Sequence, residues 1–456
     1  MKKAPVDNMY HLSLSRIRPL PIILAAALTS CARPALAPTL SPSTAAPTVE
    51  PTGAPSAIPS LPPSPTPTLE PTVTPLPEAA LSTEVFYLIP PTVQHVTETS
   101  ATVFFELSGP ANGQLLYRSQ GNPAEGGAVP LDPGSARHLL TLDGLTPETR
   151  YEYIVHLGTG ETGPTEPTFD GARWGPTSFR TGPCGEPLRF GVIGDSGFGE
   201  EVTFRLGELM AGYDLAFVIH VGDVVYRIYE DANPFESYAL KFYAPFAPLL
   251  RQMPIYPVVG NHDVEEAAFW EGSPFYYRAF PPFADPAFAP SDYEGRRGWY
   301  AFAHGDVQFV LLDTQIFFGE PGRAEQDTWL RQRLADERYR ITIPVFHVPM
   351  YTSGMHPSDT VVVRMNWEEL FTASRIPLTL AGHDHNYERL IVNGITHIVS
   401  GGGSAGLYGM GEQHPNSQFF VQQSHFVLVE LFHDHIVLQA IGVDGAVIDG
   451  EEAPLE

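Results

Sequence analysis

Cysteine is almost missing from this chain: among 456 residues only Cys31 and Cys184 occur. No disulfide framework can staple the fold, so stability must come from a large core, a metal site or both. Basic residues are scarce as well, with 26 Lys and Arg against 52 Asp and Glu and a net charge of −26. That balance excludes a general polyanion binder such as a nucleic-acid coat or a basic membrane-surface protein. An anion bound here needs a local attractor, and bound cations are the strongest local charges a protein can hold. The N-terminal apolar stretch "LPIILAAAL" is too short to span a bilayer. What the chain does have is 43% apolar residues and a length sufficient for two domains or more, which is ample for a real core.

Lys2, Lys3, Arg16 and Arg18 precede that apolar stretch, the order of an export signal. It ends in "LTSC", which resembles a bacterial lipobox in which Leu28, Thr29 and Ser30 lead to a lipidated Cys31. The other reading is an ordinary secretory signal cleaved near "ARPALA". Residues 1–31 are therefore assigned to a signal peptide ending at the lipidation site Cys31. Residues 32–81 are Pro, Thr, Ser and Ala with few large apolar side chains, which predicts a disordered, extended linker. The expected location is outside the cytoplasm, as a membrane-anchored lipoprotein or else secreted, with membrane contact through the lipid alone.

From 82 to 183 the pattern is of short alternating strands: "VFYLIP", "SATVFFELS", "NGQLLYRS", "RHLLTLDGL", "RYEYIVHLG" and "PTSFRT". Regular turn signals between them predict a small β-sandwich. The segment "LDGLTPETRYEYIVHL", with Leu145, Pro147 and Tyr151, resembles the tyrosine-corner region of fibronectin type III modules.

Residues 184–456 change to apolar strands separated by helical patterns and long loops, an α/β texture. Five apolar runs break off into metal-capable groups. "LRFGVIGDSG" reaches Asp195, "LAFVIHVGDVVY" reaches Asp223 and Tyr226, "PIYPVVGNHD" reaches Asn261 and His262, "ITIPVFHVPMY" reaches His347, and "IPLTLAGHDHNYER" reaches His383 and His385. In an open α/β sheet the carboxyl ends of the strands are where ligands bind. One ion takes about four to six donors, so Asp195, Asp223, Tyr226, Asn261, His347, His383 and His385 suit two adjacent ions with Asp223 shared between them. His383 and His385, two apart on a segment expected to be extended, should project to the same side.

The blocks "GDSG", "GDVVY", "GNHD", "FHVPMY" and "GHDHNYER", in this order, resemble those of the calcineurin-like metallophosphoesterases. The Tyr three residues after the shared Asp narrows the resemblance to the purple acid phosphatases, over essentially everything from about residue 84 onward. It implies a fibronectin type III-like β-sandwich followed by an α/β metallophosphoesterase domain of two β-sheets flanked by helices. Asp195, Asp223, Tyr226 and His385 would bind a first metal, and Asp223, Asn261, His347 and His383 a second. A phenol with an ordinary pKa near ~10 becomes a ligand at neutral pH only on a strong Lewis acid, so the first site suits Fe3+ and the second Zn2+, Fe2+ or Mn2+. The activity implied is hydrolysis of small phosphomonoesters by a metal-activated hydroxide. His262 matches a position that contacts phosphate or orients the nucleophile, and His356, in "YTSGMHPSD", one that contacts phosphate and protonates the leaving group.

The chain departs from the family at Asp263, where Glu is common, and at Asp384, where a small apolar residue is common. Neither is a proposed ligand, but Asp384 stands to alter the charge around them. The loop "VSGGGSAGLYG" lacks the Lys and spacing of a nucleotide-binding loop and is expected to shape the rim of the site. "EQDTWLRQRLAD", with Trp329 and Leu330, reads as a packing helix. Two other functions stay open on these residues: a phosphodiesterase or nucleotidase on the same metal core, and a non-catalytic surface binding protein.

Overall fold

The computed structural model describes residues 85–455, apart from 159–163, 184, 265–268, 271–272, 281–297, 320–321 and 405. The export signal, Cys31 and the 32–81 linker lie outside the described residues, as does Cys184. All described residues fall in one unit, Val73–Glu456.

Alternating apolar residues build two antiparallel sheets at the start of this unit. One pairs Tyr87–Val96, Ser100–Leu107 and Arg137–Asp143; the other orders Thr177–Arg180, Arg150–Gly158, Gly113–Ser119 and Gly126–Pro130. Their inward residues, among them Val103, Phe105, Leu115, Tyr153 and Phe179, are buried. The short strand Gly126–Pro130 is not announced by the apolar pattern, since "GGAVP" carries little to bury, and neither is the two-residue strand Pro164–Thr165 that pairs with Arg150–Gly158. Tyr151 closes its corner as the sequence pattern predicts: its hydroxyl accepts the Thr146 N–H at 2.9 Å.

Two larger sheets follow. The first orders Ile255–Pro257, Phe217–His220, Leu188–Ile193, His425–Leu431, His435–Gly442 and Val447–Pro454. Its first three strands run parallel and the rest antiparallel. The second orders Tyr300–His304, Val307–Leu312, Ile341–Phe346, Leu378–Ala381, Ile395–Ser400, Tyr387–Val392 and Ser417–Val421. Val192, Ile219, Val427 and Val429 from one sheet share an apolar cluster with Phe309, Leu311, Ile343, Val345 and Leu380 from the other. Each fully buried side chain of this kind contributes roughly 1.5–3 kcal/mol.

Helices cover the outer faces. Pro357–Ala373 buries Val363, Trp367 and Phe371 in a cluster with Leu312 and Phe346. The predicted packing helix is Arg323–Leu334; it buries Leu330, and its Gln326 carboxamide accepts the Asp313 N–H at 2.8 Å. Because strands Leu188–Ile193, Phe217–His220 and Ile255–Pro257 run parallel, their carboxyl ends open at one edge. Ile341–Phe346 and Leu378–Ala381, parallel to each other in the second sheet, bring His347 and His383 to meet the groups of the first.

Candidate metal centre

Glycine precedes four of the five donor turns, and packing explains two of them directly. At Gly222, where φ is +97°, an added Cβ would fall 2.4 Å from His347 Nδ1; at Gly260 it would fall 2.1 Å from Asp223 Oδ1. Neither position has room for a side chain. The backbone is also left-handed at three donors that are not glycine: Asp195 (φ 56°), Asp223 (φ 53°) and His383 (φ 72°). Such a conformation costs on the order of 1–3 kcal/mol and persists only where the surroundings impose it.

The side chains converge in two groups joined at Asp223. In the first, Tyr226 Oη lies 2.9 Å from Asp223 Oδ2, 2.9 Å from His385 Nε2 and 3.2 Å from Asp195 Oδ1. Asp195 Oδ1 and His385 Nε2 are 3.5 Å apart. In the second, Asn261 Oδ1 lies 3.0 Å from His347 Nε2 and 3.1 Å from His383 Nδ1, while His347 Nε2 is 3.4 Å from Asp223 Oδ1. All seven residues named from the sequence are therefore brought together.

The three imidazoles share one design. His347 Nδ1 donates to the Val221 carbonyl at 2.8 Å and His385 Nδ1 to the Gly406 carbonyl at 2.6 Å, while His383 Nε2 faces Asp359 Oδ2 at 3.1 Å. In each ring the nitrogen turned away from the cluster has an acceptor, so the other nitrogen is the one turned onto the cluster. That arrangement fixes tautomer and orientation in metal-binding histidines.

Burial pushes the Asp195 carboxyl well above its usual range, and the Asp223 charge adds to the effect. Burial acts the same way on Asp223, but the neighbouring His347 outweighs it and holds that carboxyl low. His347 is correspondingly raised to about 10: burial alone would lower it, and Asp223 reverses the sign. Tyr226 is raised by burial, then by Asp195 and Asp223. Burial lowers His383, and lowers His385 to about 4, so both rings stay neutral and able to ligate. Two carboxyl groups buried beside a phenol are costly to ionise unless a cation offsets the charge, and within the chain His347 does so for Asp223 alone. Asp195, Asp223 and His385 put their donor atoms within 4.8 Å of one another. The donors fit metal ions: carboxylates, phenol and imidazole in one group, a shared carboxylate, an amide oxygen and two imidazoles in the other.

His262 and His356 stand differently. Their side chains are 31% and 35% exposed, against 0–11% for Asp195, Asp223, His347, His383 and His385, so they reach from the donors toward solvent. The His262 ring packs on Tyr226 with centroids 4.5 Å apart, and its Nε2 is 4.0 Å from Asp223 Oδ2. The His356 ring lies 4.7 Å from that of His383.

One expectation is corrected. His383 and His385 do not share an extended segment: the strand ends at Ala381, residues 382–386 are irregular, and His383 takes a left-handed φ. The turn sends the two rings into different donor groups. Sequence reasoning also missed Asp359, three residues past His356, and two aromatic covers. Phe198 stacks on Tyr226 at 4.0 Å, and Tyr408, in the glycine-rich loop, stacks on His385 at 4.2 Å. Asp263 binds the donor turns from beneath, accepting the Val224 N–H at 3.0 Å and the Gly260 N–H at 2.9 Å.

Residues 188–387 match the calcineurin-like phosphoesterase family. The chain thus carries a calcineurin-like phosphoesterase domain. Purple acid phosphatases are among its homologues: it is 27% identical over 316 residues to purple acid phosphatase 23 of Arabidopsis thaliana, covering 64% of this chain and 62% of that one. It is 28% identical over 285 residues to acid phosphatase type 7 of Danio rerio, covering 56% and 57%. The chain therefore spans about three fifths of the length of these curated relatives. The structure of the purple acid phosphatase PPD1 from yellow lupin seeds has the same fold, with a TM-score of 0.62 at 19% identity over 79% of this chain and 73% of that one.

Proposed function

We propose that this chain is an exported, metal-dependent phosphoric monoester hydrolase of the acid phosphatase type. One observation carries the reading: three imidazoles, each held by its outer nitrogen, turn their inner nitrogens onto two buried carboxylates, a phenol and an amide oxygen. Asp195, Asp223, Tyr226 and His385 would hold one ion, and Asp223, Asn261, His347 and His383 a second, with Tyr226 favouring Fe3+ at the first and a divalent ion such as Zn2+, Fe2+ or Mn2+ at the second. When bound, such a pair neutralises phosphate charge and lowers the pKa of coordinated water.

The chain's own residues do the rest. Asp223 spans both donor groups and keeps them at one spacing. Asp359, Val221 and Gly406 hold the three rings. His262 and His356, the more exposed imidazoles, are placed to contact phosphate oxygens, and His356 to give the leaving oxygen a proton. Among the described residues no helix is long and apolar enough to cross a membrane, and we assign any membrane attachment to a lipid on Cys31.

The test is to measure, on the full chain, initial rates with p-nitrophenyl phosphate and bis-p-nitrophenyl phosphate, together with metal content and the visible spectrum. Monoester preference with a purple tyrosinate band supports the whole reading. Diester preference would move the function to a phosphodiesterase, and a colourless active protein would remove Fe3+ from Tyr226. A metal-free, inactive protein would sink the reading.

A further inference from the structure

Asp384 lies between His383 and His385 but turns its carboxylate away from both donor groups. It is completely buried. Oδ1 accepts from the Met355 N–H at 2.9 Å, the His356 N–H at 3.2 Å and His356 Nδ1 at 2.9 Å, while Oδ2 accepts from the Thr352 hydroxyl at 2.6 Å. Glu388, also buried, takes the Ser353 N–H at 2.7 Å and the Ser353 hydroxyl. The segment 352–356 is thus hung, through two carboxylates, on the same stretch of chain that carries His383 and His385.

We propose that Asp384 is a positioning residue for His356: it fixes the tautomer and face of that ring so that Nε2 is presented to a phosphoryl group at the metal centre. The inference rests on the hydrolase reading given above. Imidazole has two nitrogens, and donation from Nδ1 to Asp384 leaves Nε2 as the one available to substrate. The ring lies between His383, at 4.7 Å, and Tyr408, at 5.4 Å, so the bond to Asp384 selects one orientation within a narrow slot. His356 sits on a turn immediately before the helix Pro357–Ala373. Without the carboxylate, two backbone N–H groups and the ring would lose their common acceptor, and a displacement of about 1 Å at a positioned group can cost about 100-fold in rate. A small apolar residue at this position could make none of these four bonds.

A double-mutant cycle on the full chain tests this, using Asp384→Val, His356→Ala, their combination, and Asp384→Asn. The readings are bound metal, kcat and KM for a phosphomonoester, and competitive inhibition by inorganic phosphate. Bound metal should stay at the wild-type level in every variant. Asp384→Val should lower kcat/KM by about 10–100-fold and weaken phosphate inhibition in parallel with His356→Ala. Asn keeps an acceptor toward Nδ1 and both amides and should recover most of the loss. In the His356→Ala background, Asp384→Val should cost less than about 2-fold, because the two residues act as one unit. Losses that multiply, loss of metal in Asp384→Val, or an Asn variant as damaged as Val would each overturn the assignment. If the valine variant does not fold, Asp384→Glu, which displaces the acceptor by one methylene, replaces it in the cycle with the same readings. A wild-type chain inactive on every ester would overturn the hydrolase reading together with this one; an active wild type with multiplying losses overturns this assignment alone.

Discussion

Buried polar groups are treated in opposite ways in the two parts of this molecule. In the sandwich several close singly onto backbone: Trp174 Nε1 donates to the Pro91 carbonyl at 2.7 Å, the Thr177 hydroxyl to the Tyr153 carbonyl at 3.0 Å, and the Tyr151 hydroxyl accepts from Thr146. In the phosphoesterase domain Asp195, Asp223, Tyr226 and His347 turn toward one another at strand ends, two of them on left-handed backbone. The first arrangement minimises the cost of burying a polar atom. The second gathers titratable groups whose protonation is shifted by burial and by one another, the pattern of a candidate functional site.

That contrast breaks most directly at Asp223. Asp223→Asn removes the charge shared by both donor groups, and a fall in kcat/KM beyond the about 10–100-fold typical of residues that merely support a metal ligand is expected, with metal lost in parallel. Full activity in this variant would end the comparison. Asp359→Ala, which leaves His383 Nε2 without its acceptor, should fall within about 10–100-fold while thermal stability changes little; an unchanged rate would mean that the ring needs no outer anchor.

A third test concerns stability. Burial lowers His397 to about 3 and His304 and His425 to about 4, against about 6.5 when unfolded. Between those values the unfolded chain binds protons that the folded chain refuses. Stability is therefore intact above about pH 6.5 and lost as pH falls toward 4. Calorimetric Tm values across this range should decline steadily, and a flat profile would show that these rings are not buried neutral. The smallest effect belongs to the sandwich. Tyr151→Phe should cost about 1 kcal/mol in stability and leave kcat/KM unchanged; a rate loss there would show that the two parts are not energetically separate.

Most of the fold was legible because its signals are local. Strict alternation announced the sandwich strands, and the runs around Ile193, Ile219 and Leu380 announced the buried parallel ones. Gly126–Pro130 stayed hidden because a strand with little to bury leaves no pattern. That the seven candidate donors would converge was legible because polar side chains able to hold a metal follow apolar runs at five places. Asp359 was not, since an acid in the first turn of a helix has an ordinary reason to be there, and nothing local says that it faces His383.

By itself the sequence determined the candidate donors, their order along the chain and their positions after apolar runs, because apolar periodicity and turn residues act over a few neighbouring positions. The tertiary structure alone decided which nitrogen of each ring faces inward, which donors share a group, and that Asp384 serves His356. Those outcomes depend chiefly on contacts between residues far apart in the chain, such as His383 with Asp359, His347 with Asn261 and Tyr226 with His385. Such pairings form only when the two sheets close on their common core.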